Sequence, residues 1–484
     1  MSIALEKSLW SSKLAVAATG GVSLVDWYAD GVTINSRDVV PGDLFIAIKG
    51  PKFDGHDFVT DALAAGASAA VVDHRPNLLR NETPLLEVSD TKLALESLAV
   101  ASRQRSAAKI IAVTGSVGKT SIKEALHLVL REQATCSVSL GNLNNHWGVP
   151  LSLSRMSANT DFGVFEIGMN NPGEITPLTK MVRPHIVIIT NVELVHSEYF
   201  ESLESIADAK AEIFIGLEDC GICILNRDNK QFDRLQNAAL RAGAKNIISF
   251  GMHAEAQARS VNIITDYEGS NVDAIIGGRE FSYRVGVPGI HWAINSLSVL
   301  AAVDAAGGDV GRAAMNLSSI RGLKGRGQTH SIPFDGGRFI VIDESYNASP
   351  VSMRAAIKVL GKMSPKGKGR RIAVLGDMLE LGSETPAHHE AIAHSLIMEG
   401  IDLVFTTGKY MEILYNALPS RMRGGSAPTP PVLLNQVKNS VRSDDIIIIK
   451  GSAGSNTGFI VEALLNLREP SEDHPKINHL TVNG

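Results

Sequence analysis

The stretch "KIIAVTGSVGKTSIKEAL" (Lys109–Leu126) decides how the chain is read. An apolar run of strand length enters a glycine-rich turn, and a helical pattern follows at once. A turn between a strand and a helix N-terminus lets successive backbone N–H groups converge on an anion. The common phosphate loop, G-x-x-x-x-G-K-[ST], would need its first glycine at position 113. That position is Val113, and the nearest earlier glycine is Gly115, so the loop is contracted to G-x-x-G-K-T. Lys119 is expected to set its ammonium on the β/γ-phosphates of a nucleoside triphosphate, and the Thr120 hydroxyl to ligate Mg²⁺.

Around this turn the pattern is α/β, and 484 residues suit about three domains. Within residues 109–325 the apolar runs "KIIAVTG", "FGVFEIG", "IVIITNV" and "GICILN" alternate with helices. That implies a parallel sheet covered on both faces, a central P-loop-type ATPase domain. Residues 1–108 read as a small α/β module, which the resemblance given below makes the substrate domain. In it, "GDLFIAIKG" (Gly42–Gly50) and "AAVVD" (Ala69–Asp73) are strands, and "FVTDALAAGA" is a helix closed by Gly66. Residues 326–484 carry "RFIVIDESY", "RRIAVLGD", "DLVFTTG" and "DDIIIIKG" with helices between them, a Rossmann-like sheet. No G-x-G-x-x-G follows the first of these strands, so a dinucleotide site is not expected. "GGSAPTPP" (Gly424–Pro431) and the tail after Pro470 read as loosely ordered.

Composition narrows the classes. Apolar residues at 44% and charged residues at 20% describe an ordinary globular chain. A net charge of −5 and only 5% aromatics argue against a nucleic-acid partner. No run of about 18 apolar residues occurs, so no membrane span is expected. Glu6 and Lys7 stand where a signal peptide needs its apolar core, which points to the cytoplasm. Cys220 and Cys223 form a C-x-x-C inside a strand pattern with no second Cys/His pair nearby. They read as small core residues rather than a redox or zinc site.

Other residues are candidates by position. Glu166 ends the strand "FGVFE", where an acid for nucleotide magnesium belongs, although strand-end carboxylates are common. His196 follows "IVIITNVELV", and a lone histidine is more often structural than a ligand. Lys210 lies in the helical stretch "SIADAKAEIF", where a solvated lysine is the default reading. Asn295 opens the apolar helix of "HWAINSLSVLAA", a position that also suits a helix cap.

Taken together and in this order, these pieces resemble the Mur ligase superfamily of ATP-dependent amide-forming enzymes, over nearly the whole chain. The superfamily carries the contracted loop, here Thr114, Gly115, Ser116, Val117, Gly118, Lys119 and Thr120. Four further stretches carry the resemblance: "NSRDVVPGDLFIAIKGPKFDGHDF" (Asn35–Phe58), "GNLNNHWGVPLSL" (Gly141–Leu153), "DESYNASPVSM" (Asp343–Met353) and "LGDMLELG" (Leu375–Gly382). They match the branch that joins D-Ala-D-Ala to UDP-MurNAc-tripeptide.

The resemblance implies a role for each matching position. Ser36 and Arg37 would contact the uridine diphosphate, and Asn144 and Asn145 the sugar-peptide end. Glu166 and His196 become ligands of two Mg²⁺ ions. Lys210 matches the lysine that the superfamily carbamylates, which turns a cation into a carboxylate-like anion. Asn295 would face adenine, with His291 beside it. Arg326 would reach the phosphates, Asp343 and Glu344 the ribose, and Tyr346 and Asn347 the D-Ala-D-Ala. A monomer is implied. Two departures stand out: Ser349 replaces an asparagine, and Ala453 stands where the family usually has arginine.

Two alternatives explain less. A regulatory P-loop ATPase would account for Lys119 and Thr120, but not for Glu166, His196, Lys210 and Asn295. The sister ligase that adds the third amino acid usually carries Asp-Asn-Pro-Arg when it uses diaminopimelate, and that string is absent. A folate polyglutamylating enzyme is not expected to carry the Asn35–Phe58 segment.

Overall fold

The computed structural model describes residues 8–77, 79–193, 200, 202–266 and 268–467. The chain forms two compact units, divided mainly at Ile320/Arg321, with residues 266, 268 and 287–289 grouped with the second. His196 and the tail after Pro470 lie outside the described residues.

Beside a two-stranded antiparallel pair, Trp10–Ser11 with Tyr28–Ala29, the first unit holds two larger sheets. The smaller is all parallel, in the order β1 (Gly31–Thr33), β2 (Asp43–Ile46), β3 (Ala69–Val72), β4 (Leu85–Glu87). Each residue of β3 is buried, because helices cover both faces and apolar runs rather than alternation suit such strands. The expected helix before β3 spans Val59–Ala64, and Gly66 follows at φ +107°.

The larger sheet has nine strands. In chain order these are β5 (Lys109–Thr114), β6 (Cys136–Val138), β7 (Phe162–Glu166), β8 (Ile186–Ile189), β9 (Ile222–Asn226), β10 (Asn246–Gly251), β11 (Ala258–Thr265), β12 (Ser270–Ile276) and β13 (Arg279–Val285). Across the sheet they run β13-β12-β11-β10-β9-β8-β5-β7-β6. From β6 through β11 neighbours are parallel, and β11, β12 and β13 form an antiparallel meander. The core strand β5 buries Ile110, Ile111, Ala112 and Val113 completely. Each large apolar side chain so buried contributes about 1.5–3 kcal/mol. Helix α1 (Lys119–Arg131) leaves the end of β5 through the glycine turn. Helices α2 (Gly148–Ser154), α3 (Leu203–Ala211) and α4 (Ile290–Ala305) also belong to this unit.

The two-stranded pair and the four-stranded sheet are both bonded to the end of α2. Trp10 Nε1 donates to the Ser154 carbonyl at 2.9 Å, and Arg155 Nε to the Val32 carbonyl at 2.6 Å.

The second unit is a six-stranded sheet. Its strands are β14 (Gln328–Phe334), β15 (Gly337–Glu344), β16 (Arg371–Gly376), β17 (Leu403–Thr407), β18 (Arg423–Ala427) and β19 (Ile446–Lys450), ordered β14-β15-β19-β16-β17-β18. All neighbours are parallel except β14 and β15. The four apolar strands read from the sequence are all present.

Two readings are corrected. Gly424–Pro431 is not loose: it contributes most of β18 and the first turn of the helix Pro430–Ser440. The glycines suit a strand here because a Cβ at Gly424 would press to 2.7 Å from the Phe405 ring. The cysteines also part company: Cys223 is buried in β9, but Cys220 is exposed in the turn before it, at φ +64°.

Candidate active site

The phosphate turn follows β5, the third strand from the β6 edge of the nine-stranded sheet, between the ends of β7 and β8. The register sets Glu166 opposite Val113 and Ile189 opposite Thr114. Two neighbouring strand ends therefore flank the glycines, the place where open α/β sheets bind ligands.

Gly115 has φ +149°, and a Cβ there would collide with the Thr190 hydroxyl. Thr190 in turn donates that hydroxyl to the Val117 carbonyl, and Ser116 is laced to Asn191 and Glu193. Gly115→Ala is therefore expected to cost about 1–3 kcal/mol in backbone strain alone. Its melting temperature should drop and its ADP affinity should weaken, as thermal melts and calorimetric titration would show. A variant with wild-type melting and ADP binding would refute the fit.

Lys119 Nζ donates to the Gly115 carbonyl at 2.8 Å, so its side chain folds back across the loop. Thr120 Oγ1 donates to Glu166 Oε2 at 2.8 Å, and Asn144 Nδ2 donates to Glu166 Oε1 at 2.7 Å. Glu166 is 2% exposed. Three residues read separately from the sequence thus meet at one carboxylate. The oxygen donors of Thr120 and Glu166 are the hard ligands that Mg²⁺ prefers, so these residues fit the ion that the fold implies.

Lys210 overturns its default reading. Far from being solvated, it is 3% exposed on α3, whose start is fixed by a capping box from Ser202 and Ser205. Burial, and then the charge of Lys119, push its amine well below the ordinary lysine value of 10.5. A neutral amine is the form that adds CO₂. The carbamate so formed would replace a disfavoured cation with an anion beside Lys119.

Asn295 is not a cap, since α4 begins at Ile290. Its amide instead lies over the phosphate turn: a Cβ on Gly118 would approach Asn295 Nδ2 to 3.1 Å. Beside it runs a narrow crevice lined by Ile122, Ala125, Trp292, Val299 and Leu317 among others. His291 is exposed one turn earlier on α4.

Ser36 is half-buried and Arg37 exposed in the turn after β1, where the Asn35 side chain accepts from the Arg37 amide at 3.2 Å. Asn145 serves its own helix: Oδ1 accepts from the Trp147 and Gly148 amides at 3.1 and 2.9 Å, opening α2.

In the second unit the predicted residues gather at the ends of β15 and β19. Asp343 is buried and its carboxylate accepts from the Gly325 amide at 2.8 Å, the Ser345 amide at 3.1 Å and the Ser345 hydroxyl at 2.6 Å. Glu344 instead pairs with Lys450 at 3.3 Å, and Lys450 also donates to the Asn347 carbonyl at 2.9 Å. The Arg326 guanidinium stacks 3.9 Å from the Tyr346 ring centre. Ser349, at the departure from the family pattern, N-caps the helix Pro350–Gly361 with Ser352 completing a capping box. Serine and asparagine cap about equally well, so the exchange is locally neutral.

Sequence reasoning missed Lys450, a buried lysine whose only sign was its place at the end of an all-apolar strand. It also missed the His56, Asp73 and His74 cluster. His56 Nδ1 bonds Asp54 at 2.6 Å, and Nε2 accepts the Asp73 amide at 3.1 Å. Both ring nitrogens are spent inside the protein, so the cluster braces the ends of its sheet.

Residues 29–104 match the Mur ligase family catalytic domain, 113–303 the Mur ligase middle domain, and 325–453 the Mur ligase glutamate ligase domain. The chain belongs to the Mur ligase family. Its curated relatives include the UDP-N-acetylmuramoyl-tripeptide–D-alanyl-D-alanine ligase of Rickettsia prowazekii, 34% identical over 94% of this chain and 99% of the relative. The Escherichia coli enzyme of the same name is 33% identical over 94% and 98%. Among solved structures, MurF from Acinetobacter baumannii superposes with a TM-score of 0.80 at 28% identity, covering 94% of this chain and 99% of that one.

Proposed function

We infer that this chain is an ATP-dependent ligase that joins D-Ala-D-Ala to UDP-N-acetylmuramoyl-tripeptide, giving the pentapeptide precursor of peptidoglycan with ADP and phosphate. The observation that carries the reading is its near-full-length similarity to ligases of that name. The arrangement of Lys119, Thr120, Glu166 and Lys210 supports the chemistry.

A carboxylate is a poor acyl donor, because its leaving group would be oxide. In the proposed reaction its oxygen attacks the γ-phosphorus of ATP and the bond to ADP breaks, leaving an acyl phosphate. The free amine of D-Ala-D-Ala adds to the acyl carbon, and the tetrahedral intermediate expels phosphate and loses a proton. The protein contributes position and charge. Lys119 and the loop N–H groups neutralise the β/γ-phosphates as the carboxylate approaches. Thr120, Glu166 and His196, with carbamylated Lys210, would hold two Mg²⁺ ions, whose charge offsets the repulsion between carboxylate and triphosphate.

Substrates are assigned as follows. Residues 1–108 take the UDP-sugar through Ser36 and Arg37, with Asn144 and Asn145 on the peptide side. Residues 109–325 take ATP, with Thr114 to Thr120 on the phosphates, Asn295 and His291 on adenine. Residues 326–484 supply Arg326 to the phosphates, and Tyr346 and Asn347 to the amine substrate. Both Asp343 oxygens are occupied internally, so of the acid pair Glu344 is the better ribose contact. A nucleotide sugar and ATP as substrates support a cytoplasmic reaction, and the enzyme is proposed to act as a monomer; no helix among the described residues is long and apolar enough to cross a membrane.

A phosphate-release assay with UDP-MurNAc-tripeptide, ATP and a panel of amines tests the reading. Release should depend on D-Ala-D-Ala. Release with a single amino acid instead would overturn it.

A further inference from the structure

Lys123 is among the largest fully buried side chains, at 0% exposure. Lysine is almost never so deep unless it is paired. It lies on α1 three residues after Thr120, so both side chains leave the same face of the helix. Its ammonium donates to the Ser139 carbonyl at 2.7 Å and the Gly141 carbonyl at 2.8 Å, and pairs with Glu124 at 2.7 Å. An ammonium has three N–H donors and no acceptor, so these three contacts use all of it.

Both carbonyls belong to the segment that leads from β6 to Asn144. That segment meets Glu166 as well: the Ser139 hydroxyl accepts the Glu166 amide at 3.1 Å, and the Asn144 carboxamide reaches the Glu166 carboxylate at 2.7 Å. The Asn144 carbonyl also accepts the Gly168 amide at 2.8 Å. Lys123 therefore holds the near end of the loop and the Glu166 strand end holds the far end, and both anchors stand beside Thr120.

The choice of residue has a physical reason. The buried Ser139 carbonyl lies outside a ladder and still needs a donor. An apolar side chain of similar length would fill the space without desolvating a charge. It would also take that donor from Ser139, hand the exposed Gly141 carbonyl to water, and leave the loop free to shift.

We propose that Lys123 is a positioning residue for ligation: it fastens the Gly141–Trp147 loop to the phosphate-loop helix, holding the peptide carboxylate and the γ-phosphate in one frame. This rests on the function inferred above. The attacking oxygen and the phosphorus must meet in near-attack geometry, and a displacement of about 1 Å costs on the order of 100-fold.

The test uses the full chain with Lys123→Met and Lys123→Arg. Lys123→Met should lower kcat about 100-fold and raise KM for UDP-MurNAc-tripeptide, with ADP affinity held within about threefold. Amide hydrogen exchange should quicken across residues 139–147 while 119–131 stay protected. Lys123→Arg, which keeps the charge and the donors, should restore at least about tenfold of the lost kcat. A lysine that merely supports the fold would lose ADP affinity and kcat together, with protection lost in both segments. That result, or a kcat within about threefold of wild type, overturns the proposal. Should Lys123→Met not fold, Lys123→Arg decides: a protected loop with kcat within about tenfold supports it, and an unfolded or inactive variant overturns it. Exchange and ADP binding do not involve the UDP-substrate, so a wild-type chain that fails to ligate would refute the function and leave the fastening of the loop separately measured.

Discussion

Lys119→Ala should abolish ATP-dependent ligation while leaving UDP-MurNAc-tripeptide binding nearly intact. The side chain is the phosphate loop's own cation, folded back on Gly115 at 2.8 Å and standing over the N-terminus of α1. The γ-phosphoryl group and the approaching carboxylate are both anions, and their repulsion peaks as the new P–O bond forms. Removing one preorganised group of this kind costs about 10²–10³-fold in rate, or roughly 3–4 kcal/mol. Loss of the full charge beside a triphosphate belongs at the upper end. The helix N-terminus and the loop amides remain, so ADP affinity should weaken without vanishing. The UDP-substrate is assigned to Ser36, Arg37, Asn144 and Asn145 rather than to Lys119, and calorimetric titration should find its affinity little changed. Near-normal turnover would remove the central claim about the loop. Lost UDP-substrate binding would show instead that the alanine collapses the turn.

The parts of the fold that could be read in advance are those where one physical demand acts alone. Strands β5, β8, β9 and β19 are buried on both faces, and the only sequences that tolerate this are continuous apolar runs. The meander β11-β12-β13 was hidden, because half-exposed strands such as "ARSVNIIT" mix polar and apolar residues and resemble loops. Strand β18 was hidden for the opposite reason. Its glycines signal a turn, yet they are there to admit the Phe405 ring.

The site divides in the same way. Lys119, Thr120 and Glu166 follow from chain order, because a phosphate turn and the end of an adjacent parallel strand must meet. Lys210 left only a sign overridden by residue type: it lies four residues after the buried Ile206 and three and four before Ile213 and Phe214, on an apolar stripe, yet a lysine is read as solvated by default. Lys123 left a faint sign, being a charge on the same helical stripe as the buried Leu126 and Leu130. Asn295 looked like a cap because the start of α4 was read five residues late. The assignment to a ligase came from long motifs whose local geometry, as at Ser349, is often plain helix capping.

The second large effect falls on Lys210. Lys210→Ala should be nearly inactive, losing on the order of 10³-fold in kcat, because the proposed carbamate would help hold the Mg²⁺ charge at the reacting phosphate. Formate or acetate in solution should restore part of the loss in a dose-dependent way, by placing a carboxylate in the space the side chain leaves. An active variant, or an inactive one indifferent to added carboxylate, would count against carbamylation. The wild-type protein should show a matching pH signature. Carbamate forms only from the neutral amine, and burial together with Lys119 lowers the amine's protonation range. Activity should therefore fall as pH drops through that lowered value, and added bicarbonate should move the fall to lower pH. Stability follows with a definite sign. Between the lowered folded value and the ordinary 10.5, the unfolded chain holds a proton that the folded chain lacks. Stability in CO₂-free buffer should therefore rise with pH across that window, since the unfolded state binds more protons there. A Lys210→Met variant should lack this slope. If denaturant midpoints for wild type and Lys210→Met run parallel through the window, the amine carries its ordinary charge, and the physical basis for its carbamylation is gone.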